Sequence, residues 1–104
     1  MKQLLYLSGP ITGDKAYRQK FKAIEQQLTS RGYAVVNPAE LEGVLPTQDM
    51  TWAQIMDFCL DILARCDYMI QMPGWENSLG CQQEYGFARG SCIPVLPVQE
   101  FLKN

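Results

Sequence analysis

Leu4-Leu5-Tyr6-Leu7-Ser8-Gly9-Pro10 decides the reading of this chain. Leu4 to Leu7 form a compact apolar run, and Ser8-Gly9-Pro10 stops it. That is the pattern of a short buried strand running into a turn. From about Asp14 to Arg31 the pattern changes to a helix: Tyr17, Phe21, Ile24 and Leu28 recur at steps of four, three and four, one apolar stripe on a polar cylinder. Gly32 stands where a left-handed C-terminal cap belongs. Tyr33 to Val36 reads as a second buried strand, closed by Asn37-Pro38.

Residues 39–50 contain Gly43 and Pro46 and show no clear period. Long loops in compact domains are often functional. Thr51-Trp52-Ala53-Gln54 has the form of a capping box, with Met50 and Ile55 placed as a hydrophobic staple. The helix it starts puts Trp52, Met56, Cys59 and Leu63 on one stripe and Asp57 and Asp61 on another face. Asp67 to Met72 reads as a third strand, stopped by Pro73-Gly74. A third helix is expected from about Leu79 to Ala88, released at Gly90. Cys92 to Leu96 reads as a fourth strand, and Pro94 within it favours a sheet edge. The tail from Pro97 has room for one short turn.

The alternation β-α-β-α-β-α-β predicts an α/β fold, a small flavodoxin-like or Rossmann-like three-layer arrangement with a four-stranded parallel sheet. The expected strand order is 2-1-3-4, and 104 residues suit one domain spanning 1–104. Ligands in such sheets bind beyond the carboxyl ends of the strands at the switch point. Here that point lies between the first and third strands, where Ser8 to Gly13, Met72 to Ser78 and the start of the third helix converge.

Composition narrows the chemistry. The formal charge of -2 argues against a nucleic-acid binder, which carries a basic patch or stripe. The first apolar run is too brief for a signal-peptide core or a membrane span, so a cytoplasmic protein with no membrane partner is expected. With no histidine and no C-x-x-C pair, the usual Cys/His zinc patterns cannot be built. No metal or other cofactor is expected, and Cys59, Cys66, Cys81 and Cys92 read as free, partly buried thiols. Acid–base work near neutral pH then falls to carboxylates, tyrosines, thiols or water.

Two segments stand at the expected site. Gly9-Pro10-Ile11-Thr12-Gly13-Asp14-Lys15 matches neither a Walker loop nor a G-x-G-x-x-G fingerprint. Its position places backbone amides of Ser8, Gly9 and Thr12 toward an anionic or ribosyl group. In Pro73 to Gly80, Trp75 and Glu76 suit contact with a nucleotide base, and equally a cap on the core or on a subunit interface. Asn77 or Ser78 is a natural N-cap. Glu84 leans over Gly80, which has no side chain, so its carboxylate has an open path to the site. The nearby helix N-terminus predicts a lowered pKa and a ready anion. Against this stands the plain alternative of an ordinary surface glutamate.

Taken together, Leu5 to Pro10, Cys66-Asp67, Pro73-Gly74-Trp75-Glu76 and Ser78-Leu79-Gly80-x-x-x-Glu84-x-Gly86-x-Ala88 resemble the nucleoside 2-deoxyribosyltransferase-like superfamily. The resemblance is to its small phage- and prophage-associated branch, and also to its 2'-deoxynucleoside 5'-monophosphate N-glycosidases. It implies a small nucleoside or nucleotide as partner, with Glu84 as the nucleophile on the anomeric carbon. Tyr6 would lie beside that nucleophile. Ser8, Gly9, Pro10, Thr12, Trp75, Ser78 and Gly80 would contact substrate. A homo-oligomer, dimer or larger, is implied as well, because the family often completes its sites across subunits; Trp52, Trp75 or Phe101 would supply buried surface. One departure stands out. The active enzymes carry an aspartate, which helps protonate the leaving base, where this chain has Cys59. Asp57 and Asp61 lie roughly 200° around the helix from that position. Glu76, or an acid of the long loop such as Asp49, is the alternative for that role, and nothing in the sequence selects one. The expectations are therefore N-glycosidic cleavage or base exchange, or alternatively a nucleotide-binding protein without turnover, or an interaction module with a vestigial pocket.

Overall fold

The computed structural model describes residues 1–103. Its four parallel strands, β1 (Leu4–Ser8), β2 (Ala34–Val36), β3 (Tyr68–Gln71) and β4 (Val95–Pro97), lie in the order β2-β1-β3-β4. The predicted order 2-1-3-4 is the observed one. β1 is central: Leu4 to Tyr6 pair with Ala34 to Val36 on one side, and Leu5 to Ser8 pair with Tyr68 to Gln71 on the other. Strand alternation sends successive side chains to opposite faces. Leu5 and Leu7 join Phe21, Leu28, Ile70 and Val98 on one face. Tyr6 joins Cys59, Leu63, Met69 and Ala88 on the other. The helices that cover these faces are α1 (Tyr17–Ser30) and α4 (Val98–Leu102) on the first, and α2 (Trp52–Leu63) and α3 (Leu79–Gly90) on the second.

Several boundaries differ from the sequence expectation, each for a local reason. α1 starts at Tyr17 rather than near Asp14, because the Asp14 carboxylate accepts the Ala16 amide at 2.9 Å and binds Lys20 at 2.8 Å. The preceding residues are held in turns, and Gly13 is at φ 82°. Gly32 adopts φ 95°, as its capping position requires. β4 begins at Val95 because Cys92 and Ile93 are consumed in ending α3: Cys92 adopts φ 60° and the Ile93 amide donates to the Ala88 carbonyl at 2.8 Å. The strand lies at a sheet edge, and the Pro94 carbonyl just before it accepts from the Met69 amide at 2.9 Å.

Residues 39–50 are more ordered than a loop. They contain 3-10 turns at Pro38–Gly43 and Thr47–Asp49, the first capped by Asn37, whose side chain accepts the Ala39 amide. The capping box of α2 is present in both directions, Gln54 N to Thr51 Oγ1 at 3.1 Å and Thr51 N to Gln54 Oε1 at 2.9 Å. Met56, Cys59 and Leu63 are buried as expected, but Trp52 is 51% exposed because the first turn of α2 overhangs a cavity instead of the core. Phe101 packs edge-on between Tyr33 and Tyr68, with ring centroids 5.3 and 5.4 Å away. It is partly buried by these contacts within the chain. Among the described residues no helix is long and apolar enough to cross a membrane.

Candidate active site

Beyond the carboxyl end of β1, a cavity of about 220 Å³ opens between the turns after β1, the 38–47 segment, α2 and the first turns of α3. Gly9, Thr12, Ser78, Gly80 and Glu84 line it, all singled out from the sequence. Glu84 brings a buried carboxylate to this wall. It is 6% exposed, and among the described residues the buried polar or charged side chains are Glu84 and Ser8. The Tyr6 hydroxyl donates to Glu84 Oε2 at 2.5 Å, and the Ser8 hydroxyl donates to Oε1 at 2.7 Å. Residues 6 and 8 are two apart on one strand, so both hydroxyls leave the same face of β1 toward α3.

The sequence placed Glu84 near an anion-favouring helix terminus and predicted a lowered pKa. The structure reverses that sign. Burial raises the Glu84 pKa above its ordinary value, and the hydrogen bonds from Tyr6 and Ser8 offset only part of the rise. The reason is depth: Glu84 sits in the second turn of α3, away from the first-turn amides, and one of these amides is already taken. Ser78 Oγ accepts the Cys81 N–H at 3.2 Å, closing the helix start. Tyr6 is pushed well above its usual range, first by burial and then by the Glu84 charge, so it remains a hydroxyl donor.

Two thiols flank the carboxylate. Cys59 and Cys81 both line the cavity and are both buried. Burial raises each thiol, with Tyr6 partly opposing the rise at Cys59, and Ser78 and Ser8 at Cys81. Asp57 and Asp61 point to solvent on the far face of α2. Glu76 and Asp49 are exposed and outside the cavity wall.

The other expected contacts divide. Ser8 spends its hydroxyl on Glu84 rather than offering it to the cavity. Gly9 permits a close approach: a Cβ there would lie 2.8 Å from Met72 Sδ, 3.1 Å from Met72 Cβ and 3.1 Å from Phe21 Cζ. Pro10 packs over the β3–α3 turn, where a Cβ on Gly74 (φ 89°) would come within 3.2 Å of Pro10 Cγ. Trp75 stacks at a tilt on Tyr85, centroids 5.1 Å apart, and is not part of the cavity wall. It therefore has an aromatic partner on α3.

The sequence did not single out the outer wall. Tyr17, Leu41, Glu42, Thr47 and Trp52 form it. The Tyr17 hydroxyl donates to Glu42 Oε1 at 2.5 Å, and Arg18 pairs with Glu42 Oε2. The Tyr17 hydrogen bond, followed by Arg18, keeps the Glu42 carboxyl below its ordinary value. The only signal in the sequence was the unusual length of the 39–50 segment. Among the described residues no group of three or more Cys, Asp or Glu side chains is arranged to hold a metal ion.

The family model described as "Domain of unknown function (DUF4406)" matches residues 3–97. The chain belongs to the DUF4406 family. A comparison with curated protein sequences finds no match. Among solved structures, this DUF4406 chain is similar to a 2-deoxyribosyltransferase from Bacillus psychrosaccharolyticus, at 17% identity and TM-score 0.71 over 90% of this chain and 70% of that one. It is also similar to BcmB, a CMP N-glycosidase from Clostridium botulinum, at 21% identity and TM-score 0.63 over 91% and 67% of the two chains. Identities this low bear on the fold alone, which the DUF4406 chain shares with both proteins.

Proposed function

We propose that this protein cleaves, or exchanges the base of, the N-glycosidic bond of a nucleoside or nucleotide, with Glu84 as nucleophile. The observation that carries this reading is the Glu84 carboxylate, buried at the cavity wall with each oxygen held by one hydroxyl donor. Tyr6 and Ser8 fix its orientation, which is the preorganisation that attack on one carbon requires. In the reaction the C1'–N bond breaks while a Glu84 oxygen bonds to C1', giving a glycosyl ester. Water resolves that ester in a hydrolase and a second base resolves it in a transferase. Burial and two donors suit a nucleophile of this kind. The carboxylate is shielded from bulk water, its two hydrogen bonds offset part of the cost of burying the anion, and it regains them each time the ester is released.

The activities of the two solved neighbours, a deoxyribosyltransferase and a CMP N-glycosidase, support the same class of bond. The test is incubation of the purified chain with a panel of deoxynucleosides and their monophosphates, followed by chromatography of free base. Base release that Glu84→Gln abolishes supports the reading; equal release by both proteins refutes it. A second reading, binding without turnover, is favoured by Cys59, a raised thiol at the position where the resemblance implies an acid. Thermal stabilisation by nucleotides with no free base from any of them would select it.

A further inference from the structure

The charges in the cavity wall have one sign. Among the described residues, the carboxylates that line it are Glu42 and Glu84, and no lysine or arginine lines it. The Arg18 guanidinium lies over the Tyr17 ring and is bound to Glu42. The wall also holds the half-exposed Trp52 ring, a π face able to attract a cation.

The wall is equally poor in proton donors for a departing base. An N-glycosidic bond to a neutral base leaves its electron pair on a nitrogen that must be protonated, and a positioned acid normally supplies that proton. Glu42 is held ionised by Tyr17 and Arg18. Cys59, Cys81 and Tyr17 carry protons, but each is held more tightly than usual: the thiols by burial, Tyr17 by its bond to Glu42.

We infer that the substrate of this site is an N-glycoside whose base is already cationic, such as an N-alkylated purine nucleoside or a pyridinium nucleoside. This rests on the Glu84 reading above and names its substrate class. For such a substrate no acid is needed. The C1'–N bond breaks with its electron pair going to the positively charged ring nitrogen, which leaves neutral, and Glu84 forms the ester to C1'. Water then adds hydroxide to C1', the carboxylate is regained, and one proton goes to solvent. The cation also answers the electrostatics of the wall: it is the counter-charge that the buried Glu84 lacks among its protein neighbours.

Two measurements test this. In the first, 7-methyl-2'-deoxyguanosine and nicotinamide riboside are compared with 2'-deoxyguanosine, each rate being divided by the spontaneous rate of the same compound in buffer. The normalisation removes the greater intrinsic lability of the cations. The acceleration is expected to be about a hundredfold greater for the cations, the lower end of what a general acid contributes to neutral substrates. In the second, 1-methylnicotinamide and neutral nicotinamide, which have no bond to cleave, are titrated against the protein by tryptophan fluorescence. The cation is expected to bind about tenfold more tightly to wild type, and Glu84→Gln is expected to erase the difference.

Equal or greater acceleration of the neutral nucleoside, or equal binding of the two nicotinamides, overturns the inference and leaves Glu84 as nucleophile intact. Base release from every compound at the same rate in wild type and Glu84→Gln overturns the proposed function, and this inference with it.

Discussion

The Tyr6 hydroxyl meets Glu84 Oε2 at 2.5 Å across 78 positions of sequence, joining the central strand to the third helix inside the core. The bond has two effects of opposite sign. It supports the Glu84 anion, while the Glu84 charge helps hold Tyr6 protonated.

Removing that hydroxyl leaves one carboxylate oxygen without its buried donor. Tyr6→Phe is expected to cost about 1–3 kcal/mol of stability, the range for a buried hydrogen bond to a charged group. It also raises the Glu84 pKa further, so the acid limb of any pH–rate profile moves to higher pH. Urea denaturation and a kcat/KM profile measure the two effects separately.

Stability should fall as pH rises above the ordinary glutamate value. In the unfolded chain Glu84 titrates near 4.5, and in the folded chain it titrates higher. Between the two values the folded chain binds the extra proton, so stability declines with pH across that window and then levels off. Asp14 and Glu42 have lowered values and act below it, with the opposite slope. Glu84→Gln should flatten the decline above 4.5, as read from urea midpoints taken at a series of pH values.

Cys59→Asp places a carboxyl beside Tyr6 and near Glu84, where burial and a neighbouring carboxylate keep it protonated. That supplies the missing acid. Cleavage of neutral deoxynucleosides is expected to rise by about 10²–10⁴, with some loss of thermal stability from the added buried polar group. Chromatography of free base from 2'-deoxyguanosine reads the gain.

Gly9→Ala tests the close approach at the end of β1. Its methyl meets Met72 Cβ and Phe21 Cζ at 3.1 Å, and neither moves without disturbing the core beneath. A loss of about 1–3 kcal/mol is expected from urea unfolding, as for other overpacked sites.

Element order, strand order and the convergence of Gly9, Thr12, Ser78, Gly80 and Glu84 were all legible in sequence, because they follow from periodicity and from where a parallel sheet presents its loops. What was not legible depends on tertiary closure. The direction of the Glu84 shift turns on how deeply α2 and α3 bury it, and no local pattern carries that depth. For Trp75 the sequence left base contact and core or interface capping both open, and its ring packs on Tyr85, ten positions on, a pairing that no local pattern announces. Glu42, Tyr17 and Trp52 come from three separate segments that only the folded chain brings to one wall. The shortened fourth strand reflects a helix ending at Cys92 in a left-handed conformation, which a non-glycine residue seldom signals in advance.

Tyr6 and Ser8 share a face only because they occupy positions of equal parity on β1. A slip of that strand by one residue would turn both hydroxyls to the opposite side of the sheet together. The register is pinned at each end, by the Leu4 amide on Asp67 Oδ2 at 2.7 Å and the Met72 amide on the Ser8 carbonyl at 2.8 Å. A misthreaded chain would therefore leave the Glu84 carboxylate without either hydroxyl partner until the sheet is correctly zipped.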